Sequence, residues 1–183
     1  MNYYRLSDDI NYPNRWYLGE INIDDNWILT LGKPVDGINN KNLSVEIYKE
    51  GATLDYSVTE GYGVPIISEA FAECLNEFKN EVQIIPVSIA KIAKPYYILV
   101  ITNIIDCVDE KKSDFKKFTS DNDIRPDRAG DYEAINILKI DNSKIQKDVF
   151  RLAKYNIVTI VSEKFKTKLE NRKLNGLTFE LVT

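Results

Sequence analysis

Three acidic residues, Asp106, Asp109 and Glu110, stand together where the longest apolar run of the sequence ends. Carboxylates gathered at the carboxyl edge of a sheet can hold a metal ion or act as a general base. Lys111 and Lys112 follow directly, so the same spacing also describes solvated charges that open a loop. The cluster lacks the DxDxDG spacing of a calcium loop, and no glycine-rich phosphate cradle accompanies it. Arg15-Trp16-Tyr17, next to the turn Asn11-Tyr-Pro-Asn14, combines residue types concentrated at binding hot spots. The same residues serve equally well as a satellite cluster packed beneath the turn. The candidate partner-binding residues are therefore Arg15, Trp16, Tyr17, Asp106, Asp109 and Glu110.

Histidine is absent from the chain. That side chain carries most proton transfer near neutral pH and ligates most zinc, so Ser-His-Asp, Cys-His and HExxH chemistry are excluded. Carboxylate, lysine and tyrosine chemistry survive the exclusion. Cys74 and Cys107 form neither a CxxC pair nor a metal spacing, and nothing in the sequence calls for a cofactor. Cys74 falls on one helical face with Phe71 and Phe78, the pattern of a small buried hydrophobe. Gly61-Tyr-Gly63 precedes a strand rather than following one, which reads as a turn and not as a nucleotide-binding loop.

These groups need elements to hold them. A chain of 183 residues with 44% apolar content can bury one core, so a single domain over 1–183 is expected. The net charge of −4 argues against nucleic acid or an anionic membrane as partner and is compatible with a basic protein. The N-terminal residues contain no apolar leader, and the run Tyr96 to Val108 is interrupted by Thr102, Asn103 and Asp106. It is too short for a membrane span of about 20 residues, so a cytoplasmic protein with reduced thiols is expected.

Alternating apolar residues predict strands at Tyr3 to Leu6, Trp27 to Leu31, Leu43 to Tyr48 and Leu54 to Val58. Trp27, Leu29 and Leu31 would then share one inward face. Val64-Pro-Ile-Ile-Ser-Glu-Ala-Phe-Ala-Glu-Cys-Leu75 reads as a buried strand ending at a serine that caps an amphipathic helix of about three turns. Val158-Thr-Ile-Val-Ser-Glu-Lys-Phe-Lys-Thr-Lys-Leu169 repeats that pattern. Two related strand–helix–strand units and two independent solutions to one capping problem both account for the repeat. Further strands are expected at Val82 to Ile89, Tyr96 to Cys107, Ala134 to Ile140, Val149 to Leu152, Ile157 to Val161 and Leu177 to Val182. The run Tyr96 to Cys107 reads as a central strand. A polar stretch at 109–131 reads either as a functional loop or as a surface hairpin. The fold class is α+β, with a mostly antiparallel or mixed sheet and two or three amphipathic helices.

Taken in order, Tyr4-Arg-Leu-Ser-Asp-Asp9, Arg15-Trp-Tyr-Leu-Gly19, Val64-Pro-Ile-Ile-Ser-Glu69 and Tyr97-Ile-Leu-Val-Ile-Thr-Asn-Ile-Ile-Asp-Cys-Val-Asp109 form a recognisable set. With Val149-Phe-Arg-Leu152 and Ile160-Val-Ser-Glu163, the set resembles the eleventh immunity-protein family of bacterial polymorphic toxin systems. The resemblance spans essentially the whole chain. It implies a non-catalytic protein that neutralises a cognate protein toxin made by the same cell, by occlusion. The matching residues are largely structural, so no binding or catalytic residue is carried over. The lysine- and asparagine-rich loop after Asp109 departs from any family pattern. The residues alone also leave a second reading, a small-molecule-binding or metal-dependent enzyme domain using the acidic cluster near Asp106.

Overall fold

The computed structural model of the chain describes residues 1–38, 41–121 and 124–183. In order it runs β1 (Tyr3–Asp8), β2 (Tyr17–Ile21), a 3-10 helix (Asn26–Thr30), β3 (Ser44–Lys49), β4 (Tyr56–Val58), β5 (Pro65–Ser68), α1 (Glu69–Cys74) and β6 (Val82–Ile89). Then follow β7 (Ile92–Ile101), β8 (Ile104–Ile105), β9 (Asp114–Lys117), β10 (Tyr132–Ile137), β11 (Val149–Leu152), β12 (Tyr155–Ser162), α2 (Glu163–Asn171) and β13 (Leu177–Leu181). Six strands make one sheet, in the order β2-β3-β6-β7-β5-β4, and five make another, β13-β1-β12-β11-β8. Pairing is antiparallel except at β3–β6 and β8–β11. The architecture is α+β, as the alternation of short strands with two helical patterns implies.

Both serine motifs fold alike. Ser68 and Ser162 each accept a hydrogen bond from the backbone N–H three residues on, at Phe71 (3.3 Å) and Phe165 (3.2 Å). Each hydroxyl also donates to an aspartate at the start of the preceding strand, Asp55 for Ser68 and Asp148 for Ser162. The capped helices then bring their apolar stripes together between the sheets. Leu6, Val149 and Val161 from one sheet meet Ile67, Leu99 and Ile101 from the other around Phe71, Phe78, Phe165 and Leu169. The first helix is shorter than three α-turns: after Cys74 it tightens to a 3-10 turn over Leu75–Phe78, still facing inward.

The most apolar run does not form one central strand. β7 stops at Ile101, and β8 belongs to the other sheet. The two polar residues between them are the cause. The Thr102 N–H and the Asn103 side-chain amide both donate to the Glu81 carbonyl, at 2.9 and 3.3 Å. The Asn103 carbonyl accepts from the Arg151 N–H at 2.9 Å, which begins the second ladder. The Glu81 carboxylate meanwhile accepts from the N–H groups of Asp148 and Val149. One short crossing thus ties the sheets together.

Trp27 to Leu31 is also not a strand. The Asn26 side chain is buried and bonds the backbone of Ile21 in both directions, at 3.1 and 3.0 Å, and the Ile23 carbonyl at 2.9 Å. Those bonds end β2 and wind the next residues into a 3-10 helix. The polar stretch after Asp109 is a hairpin, β9 against β10, whose Phe115 and Tyr132 rings meet edge-on at 5.2 Å. Positions 122–123 of that stretch lie outside the described residues.

Arg151 is fully buried beside Tyr56. Its Nη1 donates to the Asn156 carbonyl at 2.6 Å, while Nε and Nη2 have no partner among the described residues. Burial pushes its guanidinium pKa down, with the nearby Tyr56 opposing that shift. A buried cation with unmet donors costs desolvation that an isosteric apolar side chain avoids. Arg151→Met is therefore expected to match or exceed the native unfolding free energy in urea, whereas Arg151→Ala loses about 2–4 kcal/mol through the cavity it opens. A comparable loss in the methionine variant would refute this account. Removing the second cap by Ser162→Ala is expected to cost about 1–2 kcal/mol in the same titration; no loss would show that the cap is dispensable.

Candidate functional site

The Arg15–Tyr17 segment is mostly inside. Trp16 is buried, donates its indole N–H to Ser57 Oγ at 2.7 Å and packs on Tyr96 at 5.4 Å between ring centres. Arg15 is also buried, with Nη2 2.7 Å from the Asp8 carboxylate and Nη1 2.8 Å from the Asp9 carbonyl. The turn is anchored by the close approach of Gly51, where a Cβ would overlap the backbone of Asn14 and Arg15. Only Tyr17 reaches solvent, with Arg15 and Lys49 against its ring. Arg15 and Trp16 thus build the satellite cluster that the sequence allowed, and offer no face to a partner in this conformation.

The acidic residues do gather. Asp106, Asp109 and Glu110 line one open depression of about 610 Å³ with Val108, Lys111, Asp141, Lys144 and Lys154. Each has its own lysine: Lys154 is 3.0 Å from Asp106, Lys112 3.1 Å from Asp109 and Lys117 2.6 Å from Glu110. The Tyr132 hydroxyl adds a 2.7 Å bond to Glu110. Lys112 holds the Asp109 carboxyl below the usual carboxylate range, and Lys117 followed by Tyr132 does so for Glu110. Carboxylates held in the ionised form by lysines are poor general bases. Among the described residues, no group of three or more His, Cys, Asp or Glu side chains is placed to bind a metal ion. Burial pushes the Cys107 thiol up to about 12 and the Cys74 thiol up as well, so neither supplies a thiolate near neutral pH.

A different surface collects exposed apolar side chains. Trp27, Tyr62, Ile104 and Ile157 line a shared hollow of about 550 Å³. Their exposures are 43, 54, 43 and 59%, so all four are open to contact. Each is turned outward by a local irregularity. Trp27 rides on the 3-10 helix, and Tyr62 takes a left-handed φ of 61° in the β4–β5 turn. Ile104 follows the sheet crossing and lies against Gly32, where a Cβ would overlap it. Ile157, expected to be buried in its strand, sits where the β11–β12 register jumps between Arg151 and Leu152. The Asn156 side chain then donates to the Thr30 carbonyl at 3.1 Å, docking that irregular stretch onto the 3-10 helix. Periodicity places Trp27, Ile104 and Ile157 inward; only the polar residues beside them, Asn26, Asn103 and Asn156, mark the places where the strand pattern fails.

The profile of the family described as Immunity protein family (Imm11) matches residues 39–183. The chain belongs to the Imm11 immunity protein family. The matched segment holds every strand from β3 onward and both helices, while β1 from outside it lies between β12 and β13. No curated protein matches the sequence. No helix among the described residues is long and apolar enough to cross a membrane.

A carboxyl whose pKa is lowered in the folded chain adds stability above its unfolded value, and that stability is lost as the pH falls through the lowered one. Glu110→Gln is expected to lower the melting temperature at about pH 7, and the difference from the native protein is expected to shrink as the pH is taken into the acid range, read by circular dichroism. A loss that does not change with pH would rule out the ionic contact as the cause.

Proposed function

We propose that this chain is an immunity protein that binds a cognate toxin directly and covers its active site or substrate cleft. Membership of the Imm11 family over residues 39–183 carries this reading. The absence of histidine and the lysine-balanced acidic cluster support a protein that acts by shape rather than by catalysis. Such a function asks for a stable scaffold with exposed aromatic anchors and a complementary charge. The partner is a protein toxin with a basic surface, met in the cytoplasm; the net charge of −4 supports that sign. Of the Arg15–Tyr17 segment expected from the sequence to make contact, Tyr17 is the exposed residue, and Arg15 and Trp16 hold its strand. Asp106, Asp109 and Glu110 contribute rim charge of small net effect, because each already faces a lysine.

Co-expression with the toxin domain encoded beside this gene tests the proposal. Cells making that toxin are expected to survive only when this chain is present. The two purified proteins are expected to associate with a dissociation constant of about 1 μM or tighter. Failure of rescue, or rescue without association, would remove occlusion as the mechanism.

A further inference from the structure

We infer that the hollow formed by Trp27, Tyr62, Ile104 and Ile157 is the docking surface for the toxin, and that the toxin meets it with basic side chains. The inference rests on the immunity reading above and adds to it the place of contact.

The argument begins with residue type. Truncating buried Trp or Tyr at an interface costs more than truncating most other residues, and such anchors cluster centrally in well-packed pockets with a polar rim. Here a tryptophan and a tyrosine share one hollow with two isoleucines, and all four are well exposed. The floor is rigid in the sense that matters: Asn156, Asn26 and the Gly32–Ile104 contact hold its parts by hydrogen bonds and close packing. A preformed site loses little conformational entropy on binding.

Charge decides the partner. Glu20, Asp24, Asp25, Asp36 and Glu60 are all exposed on the two segments that carry Trp27 and Tyr62. None of the five forms an ion pair among the described residues. Two of them lie beside the anchors: the Trp27 indole N–H donates to Asp25 at 3.1 Å, and the Glu20 carboxylate lies against Gly61, between Glu60 and Tyr62. Asp24, Asp25 and Asp36 border a second hollow of about 400 Å³ with Ile23, Ile28, Val35 and Lys41. Lys33 and Lys41 are the only cations on the stretch from Glu20 to Lys41. The charged residues that line the hollow itself are balanced: Arg125 pairs with Asp127, Arg128 with Asp131 and Lys154 with Asp106, so that part of the rim is close to neutral. The uncompensated charge beside the anchors is negative, and a cationic partner surface complements it. By contrast, the acidic depression near Asp106 is already neutralised by lysines.

The test uses the full chain and the purified toxin domain encoded beside it, with binding followed in real time at low and high salt. Trp27→Ala and Tyr62→Asn are expected to weaken binding about tenfold or more, mainly through faster dissociation. Asparagine is chosen because it tolerates the left-handed backbone at that position. Asp24→Lys with Glu60→Lys is expected to slow association, as added salt does for the native protein. Leu181→Ser, on β13 at the edge of its sheet opposite β8, is expected to change nothing. Each variant is first checked for a native melting temperature, and because all five positions are exposed, folding is expected to persist. If the native pair binds and neither Trp27→Ala nor Tyr62→Asn weakens it, this surface is not the docking site while the immunity reading stands. If the native pair does not bind at all, it is the immunity reading that falls. If the chain instead forms a dimer that Trp27→Ala dissociates in sedimentation, the hollow is a self-association face and the inference is overturned.

Discussion

Phe165 is fully buried, with its ring edge-on to Phe78 at 4.9 Å and to Phe71 at 6.0 Å. Phe71 in turn stacks on Tyr56 at 5.6 Å. These rings come from α1, its 3-10 extension, α2 and β4, and they fill the space where the sheets face each other. Burying a phenylalanine is worth about 3 kcal/mol, and an edge-on pair adds about 1 kcal/mol. An exposed ion pair such as Lys91–Glu50 contributes between about 0 and 1 kcal/mol. The aromatic seam therefore outweighs the surface charges, and the elements on its periphery take their positions from it.

The two serine caps make that seam possible. A helix leaves its first N–H groups unpaired, and Ser68 and Ser162 satisfy one each while holding an aspartate on the preceding strand. The strand, the turn into the helix and the helix direction are fixed in one motif, so Phe71 and Phe165 enter the interior at a defined angle. The two motifs also sit in equivalent settings. After each helix the chain returns as a strand lying one place removed from the strand before the helix, with β7 filling the gap in one sheet and β1 in the other. The two motifs share their local structure, held in each by the same serine cap.

The exposed hollow around Trp27 is the complement of this order. It is built where regular pairing stops: at the end of β2, at the crossing from β7 to β8, at the β4–β5 turn and in the β11–β12 register jump. Side chains freed from a ladder can face outward without loss of backbone hydrogen bonds, provided the polar groups nearby are satisfied. Asn26, Asn103 and Asn156 meet that condition. A binding surface placed there costs the core little, consistent with the general placement of function on irregular segments held by a rigid scaffold.

Local chemistry was legible in the chain. The predicted runs at Tyr3, Leu43 and Leu54 became β1, β3 and β4, the Ser-Glu motifs became capped helices, and Cys74 and Cys107 are buried, because these outcomes depend on neighbours within a few residues. The absence of histidine alone excludes Ser-His-Asp, Cys-His and HExxH chemistry. Partnership across the chain was not legible. Whether Trp16 points in and Trp27 points out depends on Ser57 and Asn26 accepting or ending a ladder. Whether Asp106 is a reactive carboxylate or a paired charge depends on Lys154 arriving from the remote β11–β12 turn. Periodicity reports only which residues share a face; which face is covered is set by the long-range pairing of strands, and that exists only in the folded chain.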